Sequence, residues 1–491
     1  MLDHPERHDY TINFILADFF GDVKGVEMNY IDFLKSKQIS CDSSGFDCSE
    51  FNPKLFDWQK DVTRWGLKKG KVAYFEECGL GKTIQQLEFA EQVHIHTDLP
   101  VLILAPLAVA RQTADCEGRK FGYSVNICRT QADVINGVNI TNYEMIEHFD
   151  ADKFSGIVLD ESSILKSYNS KTKQYLTDAF RYTPYKLCCT ATPSPNDFTE
   201  LGNHAEFLGI MTRSEMLATF FVHDGGSTQD WRLKGHAKDK FFEWVASWAC
   251  CLTTPADLGY DADAYKLPEL RIIEHSVPSD NMIDADGQIR LFASNSLSLS
   301  ERRQARKESV QARTHLVVDI VNSTDEQCIV WCDYNDESAL SSKLINGAVE
   351  VKGSDSDFHK TSSMLAFSNG DIKCIVSKPK IAGWGMNWQN CHNVIFNGLS
   401  DSFEAYYQAI RRCWRFGQKQ PVNVHIIISD AEGAVKDNIE KKQADAVLMT
   451  KELVKYTKDI LNSEIRQTNR VTDRYSADKK VSMPRWIGGK Q

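Results

Sequence analysis

ECGLGKT, residues 77–83, follows the short apolar run VAYFE and precedes a helix-like stretch, KTIQQLEFAEQ. Where a strand yields to a helix through glycines, the backbone can close around a phosphate. Gly79 and Gly81 allow that close approach, and the helix N-terminus supplies N–H donors and dipole. Lys82 can reach the β- and γ-phosphates, and Thr83 is placed to ligate Mg2+. The strict P-loop has glycine five positions before Gly81, but Glu76 stands there, so a chance Gly-Lys-Thr turn competes with this reading. GIVLDESS, 156–163, supplies a second half: an apolar strand ending in Asp160–Glu161 puts two carboxylates at the sheet edge where open α/β folds bind ligands. Asp160 would hold Mg2+, mostly through water, and Glu161 would orient or deprotonate an attacking water. QAIRRCWRFGQ, 408–418, interleaves three arginines with Trp414 and Phe416. Taken by itself it is a nucleic-acid grip, part of a catalytic site, or a solvated helix face.

The elements that must position these groups form two series. Helix-like FDWQKDVTRWGLKK precedes strand-like runs in VAYFEEC, VLILAP (101–106), VNITNY (138–143), GIVLDES and YKLCCTAT (185–192). A second series, QCIVWCDY, IKCIVSKP, HNVIFNG and VNVHIII, begins near 325. Short apolar runs separated by helical stretches predict parallel sheets with helices on both faces, and so two α/β lobes in tandem. The expected boundaries are an N-terminal accessory segment (1–53), lobe 1 (54–197), a mostly helical insertion (198–320), lobe 2 (321–430), and a C-terminal helix with a basic tail (431–491).

At 491 residues, 42% of them hydrophobic and 25% charged, the chain can bury several cores. A net charge of −10 means that any nucleic-acid contact must be a local groove rather than a global field. The 14 cysteines form no C-x-x-C pair, which predicts a reducing compartment without a zinc site. The N-terminus lacks the basic region of a signal peptide, and no apolar stretch reaches the ~18–20 residues of a membrane span. A cytoplasmic location without membrane association is therefore expected.

GLGKT, DESS, TATPSPND, GWGMN and QAIRRCWRFGQ, in this order across two lobes, resemble the motifs of Swi/Snf-type superfamily 2 helicase-like ATPases. The compact versions carried by phages and prophages are the nearest in kind, which would place the protein in a bacterial host cell. The likeness spans roughly 54–430. That family departs from the strict P-loop where Glu76 stands, so Glu76 supports the assignment, whereas DESS departs from the common DEAH and DEAD forms. The resemblance implies two RecA-like lobes, ATP and Mg2+ as cofactors, and roles for further residues. Gln59 would read adenine, and Thr190 and Thr192 would couple nucleotide state to the nucleic-acid groove. Pro106, Leu107, Asn142 and Tyr143 would touch the tracked strand, and Gly383, Gly385 and Asn387 would link strand contact to ATP. Trp384 would pack beneath that loop. Gln408, Arg412 and Arg415 match the last motif, whose arginines act as fingers on the γ-phosphate, whereas Arg411 falls outside it and keeps the reading of a solvated or backbone-touching side chain. Trp414 and Phe416 would pack the helix against the second lobe.

The activity implied is translocation on double-stranded DNA driven by ATP hydrolysis. Strand separation on DNA or RNA is a rival, as is a P-loop phosphotransferase or nucleotide switch without nucleic-acid work. A third reading docks the motor, through the insertion and the tail, onto a nuclease, methyltransferase or replication protein.

Overall fold

The computed structural model describes residues 44–166, 170–194, 197–223, 231–278, 306–382, 386–400, 402–429 and 433–465. Lobe 1 is built on β1 (Lys71–Glu76), β2 (Val101–Ala105), β3 (Val125–Ile127), β4 (Val138–Asn142), β5 (Gly156–Asp160) and β6 (Tyr185–Thr190). A small antiparallel hairpin, β7 (Phe221–His223) and β8 (Trp231–Leu233), follows, and then β9 (Ala249–Leu252). Lobe 2 contains β10 (Leu270–Val277), β11 (Cys328–Cys332), β12 (Ala348–Val351), β13 (Cys374–Ser377), β14 (Asn393–Asn397) and β15 (Val422–Ser429).

Both large sheets are parallel, with orders β3-β4-β2-β5-β6-β1-β9 and β10-β15-β14-β11-β13-β12. Their central strands, such as VLILA and CIVWC, are buried along their whole length. Strands covered on both faces read as continuous apolar runs rather than alternating ones, which is why the sequence pattern located them. The fold expected from the sequence, two tandem parallel α/β lobes, is the one observed.

The boundaries differ from the expectation in two places. The 198–320 segment is not a separate helical body, because its strands complete both sheets. β9 pairs with β1, aligning Ala73 with Ala249, and β10 runs beside β15 over eight residue pairs. ACCL has only four residues, LRIIEHSV is exposed or half-buried up to its last residue, and both lie apart from the two strand series, so periodicity alone does not attach them. Within the 1–53 segment, residues 44–53 already pack on lobe 1: Phe46, Cys48 and Phe51 lie against its core, and Phe46 N–H donates to Leu67 O at 3.0 Å.

Three helices set up the site. α1 (Asp57–Lys69) leads into β1, and α2 (Lys82–Thr97) leaves the glycine loop. α4 (Phe403–Ile410), beyond α3 (Lys238–Ala246), buries Phe403, Tyr406 and Ile410 in the lobe 2 core. The Ser402 hydroxyl caps α4 by accepting from Ala405 N–H at 3.3 Å. α5 (Gly433–Ile465) starts with Val435 and Ile439 in the lobe 2 core and ends with Leu461 and Ile465 in the lobe 1 core.

Candidate nucleotide site between the lobes

The glycine loop runs from the carboxyl end of β1, between β6 and β9, into α2. Gly79 and Gly81 take left-handed φ values of 90° and 78°, a region closed to most side chains. A Cβ on Gly79 would meet the backbone nitrogen of Phe416 at 2.9 Å, so that position also needs glycine's size, whereas one on Gly81 would meet only the movable end of Gln59, at 2.5 Å. The Lys82 ammonium donates to Glu76 O at 2.7 Å and Glu77 O at 3.2 Å, folded onto its own loop, and Thr83 follows, half-buried.

Asp160 closes β5, and Gln86, one turn after Lys82 on α2, donates to its Oδ1 at 2.7 Å. Glu161 is held at φ 54°, a strained conformation for a residue with a side chain, and its Oε2 is buried without a hydrogen-bond partner. Burial, then repulsion from Asp160, pushes the Glu161 carboxyl up to about 7; Arg412 and Lys82 oppose the rise. Asp160 is also raised, by burial, against the hydrogen bond from Gln86. Glu76, sealed beneath the loop and bonded to Gln85 Nε2 at 2.8 Å, is pushed to about 7 by burial.

Lobe 2 faces this edge with α4 and the turn that follows it. Arg412 Nη2 stands 3.9 Å from Glu161 Oε1 and donates to Gln408 Oε1 at 2.6 Å. Gln408 is buried, and its Nε2 has no partner. Arg412 and Arg415 converge, but not as neighbours on a helix face, because α4 ends at Ile410. Each instead donates through Nη1 to Met386 O at 3.3 Å, at the end of the GWGMN loop. Burial and repulsion from Arg412 push the Arg415 guanidinium down to about 10, still charged at neutral pH.

Arg411, expected to be a solvated or backbone-touching side chain, is not solvated. It is buried, donating through Nη2 to Cys78 O at 2.7 Å and pairing with Glu77 at 3.2 Å across the lobes. Its true helical partners are Glu404, Tyr407 and Gln408, the face of α4 turned to lobe 1; the end of the helix, rather than its periodicity, decides the geometry. Phe416 also departs from its expected place. It packs against Gly79 and, at 4.8 Å between ring centres, on Tyr265 of the interlobe connection, whereas Trp414 lies on the lobe 2 core and donates to Pro268 O at 2.8 Å.

The other residues implicated by motif fall into two groups. Gln59 is buried; its Oε1 accepts from Phe56 N–H at 3.0 Å and its Nε2 donates to Leu80 O at 2.9 Å, so it anchors the glycine loop, and contact with a base would require exchanging one of these bonds. Tyr143 is buried and donates to Asp160 O at 2.6 Å, which gives its side chain to the acidic strand end rather than to an outside strand. Thr190 is buried and accepts from Thr192 N–H at 3.1 Å; the Thr192 hydroxyl donates to Glu404 of α4 at 3.5 Å, joining the lobes, and Glu404 also pairs with Lys166. Pro106 and Leu107, after β2, and Asn142, ending β4, are half-buried side by side at one sheet edge. Asn387 Oδ1 is buried without a partner, while Gly383, Trp384 and Gly385 lie outside the described residues.

These residues fit a magnesium–nucleotide. Left-handed glycines shape the loop, Glu161 Oε2 and Gln408 Nε2 are buried without hydrogen-bond partners, and the Glu161 carboxylate stands beside Arg412. Thr83 and Asp160 are the side chains that would hold the ion.

Fold and site together define a two-lobed α/β protein in which arginines of lobe 2 stand against the glycine loop and the acidic end of β5 in lobe 1. Residues 312–417 match the helicase conserved C-terminal domain. The chain is 21% identical over 423 residues to the SWI/SNF-related matrix-associated actin-dependent regulator of chromatin subfamily A-like protein 1 of Xenopus laevis, covering 78% of this chain and 42% of that protein. It is 26% identical over 161 residues to the Caenorhabditis elegans homologue, covering 30% and 23%. A solved Sulfolobus solfataricus SWI2/SNF2 ATPase core in complex with dsDNA aligns over 86% of this chain and 99% of that one, at 17% identity and a TM-score of 0.39. The chain spans less than half the length of the curated relatives it matches. The domain match and these relatives agree with the resemblance read from the motifs.

Proposed function

We propose that the protein is an ATP-hydrolysing motor that is stimulated by double-stranded DNA and translocates along it. The observation that carries this reading is the composite site: Arg412 of lobe 2 stands 3.9 Å from Glu161 of lobe 1, beside the glycine loop. Neither lobe alone has both the phosphate loop and the arginines, so hydrolysis requires closure, and closure is motion.

Loop N–H groups and Lys82 bind the β- and γ-phosphates once Lys82 leaves the Glu76 and Glu77 carbonyls. Glu161, in its ionised form, takes a proton from the attacking water. Arg412 and Arg415 stabilise the charge that develops on the transferred phosphoryl group, an effect worth roughly 10³–10⁵ in rate for such fingers. Bound Mg2+ neutralises phosphate charge. Met386, whose carbonyl accepts from both arginines, ties the fingers to the GWGMN loop, and Glu404 ties α4 to Thr192. These links support coupling between the nucleotide and a nucleic-acid path along Pro106, Leu107, Asn142 and Asn387.

The test is the ATPase rate against saturating single- and double-stranded DNA and RNA, with Lys82→Ala as the inactive control, beside triplex-displacement and forked-duplex assays. Stimulation by duplex DNA with triplex displacement is expected. Activity only on the fork would replace translocation with strand separation. A rate indifferent to every nucleic acid would leave a P-loop switch or phosphotransferase.

A further inference from the structure

We propose that Arg411 and Glu77 form a charge clasp between the lobes that makes the affinity of the glycine loop for nucleotide depend on lobe closure. The inference rests on the ATPase reading and adds a positioning residue to it. Glu77 stands two residues before Gly79. Its Oε1 accepts from its own neighbour, Cys78 N–H, at 2.7 Å and from the Tyr407 hydroxyl, and it forms an ion pair with Arg411 Nη2 at 3.2 Å. Arg411 Nη2 also donates to Cys78 O at 2.7 Å, so one guanidinium holds both the carboxylate and the backbone at the entrance of the loop. The guanidinium is packed over the rings of Trp414 and Tyr407, 5.0 and 5.8 Å from their centres, which fixes its position.

The sign of the charges gives the consequence. A carboxylate at the mouth of a phosphate loop repels a polyphosphate, and at close range the repulsion outlasts partial screening by water. With the lobes together, Arg411 cancels that charge; with the lobes apart, Arg411 leaves and Glu77 is exposed to the ligand. Nucleotide therefore favours closure and closure favours nucleotide, by the same factor. Arg411 differs in this from Arg412, which is directed at Glu161. The competing role is a third phosphate ligand, since Arg411 Nε is buried without a partner.

The experiment uses the full chain with three changes: Arg411→Met, Glu77→Gln, and the two combined. A fluorescent ATP analogue reports equilibrium affinity, steady-state kinetics separate KM from kcat, and small-angle scattering of the nucleotide-free chain reports lobe separation. Arg411→Met should weaken nucleotide binding roughly ten- to a hundredfold, the loss of a charge-assisted bond, and enlarge the radius of gyration. Glu77→Gln should bind within about threefold of wild type, and the double variant should recover most of the lost affinity, because the charge needing neutralisation is gone. A double variant as weak as Arg411→Met would overturn the clasp, since a phosphate ligand or a packing residue is not rescued by removing Glu77. An unchanged radius of gyration in Arg411→Met would overturn it as well. A wild-type chain that binds no ATP would instead overturn the ATPase reading, with the scattering result still judging the contact between the lobes.

Discussion

Replacing Glu161 by glutamine keeps the shape of the side chain and removes its ability to accept a proton. If Glu161 is the base, turnover should fall roughly 10²–10⁴-fold while ATP affinity stays within about threefold. The structure adds a pH signature. With its carboxyl pushed up to about 7 by burial and by Asp160, Glu161 is roughly one-tenth ionised at pH 6 and nine-tenths at pH 8. The kcat/KM of the wild type should therefore rise roughly tenfold between those values, since the free enzyme's base governs that parameter. The residual rate of Glu161→Gln should be flat over the same range. The assay is phosphate release under saturating duplex DNA in constant-ionic-strength buffers. A wild-type profile flat from pH 6 to 8, or a Glu161→Gln rate within a few-fold of wild type, would refute the assignment of the base.

Arg412→Gln removes the positive charge 3.9 Å from Glu161, so the midpoint of the profile should move to higher pH as well as the rate falling; an unmoved midpoint in the same titration would break the link. Arg415→Ala should bind ATP nearly normally yet lose most of the rate, checked by analogue binding beside turnover. Glu76→Gln should stabilise the fold by up to about 3 kcal/mol at pH 8, because burial raises the Glu76 carboxyl from 4.5 to about 7 and the ionised form is the costly one. A carboxyl raised in the folded state favours folding below its unfolded value, near 4.5, and that advantage is lost as pH rises through about 7. The benefit of the glutamine should thus disappear near pH 4.5, as urea unfolding at the two pH values would read.

The parts of the molecule legible in the sequence were those whose physics is local. Apolar runs such as VLILA and CIVWC announce buried parallel strands, and the glycines before Lys82 announce the left-handed turns that lead from β1 into α2. What stayed hidden depends on contacts between distant segments. LRIIEHSV is exposed or half-buried up to Val277, as the edge strand of the lobe 2 sheet, and nothing in its own pattern names β15 as its neighbour. Arg411 lies outside the motif pattern, so nothing in its own stretch names Glu77 and Cys78, more than 300 positions earlier, as its partners. Gln86, one turn after Lys82, carried the right spacing to support Asp160, but a glutamine in a helix gives no sign of its partner until β5 is in place.

α5 has a mechanical consequence. Its 33 residues form a rod of roughly 50 Å rooted in one lobe at Val435 and Ile439 and in the other at Leu461 and Ile465. Glu464 accepts from the Trp65 indole at 2.8 Å and pairs with Lys69 at 3.1 Å, fastening the far end. The chain passing from β9 to β10 is a second tether. Two bodies pinned at two separated points keep one easy freedom, rotation about the line through the pins, as a door does on its hinges. In such a frame any opening of the cleft between the lobes is confined to a swing about that line.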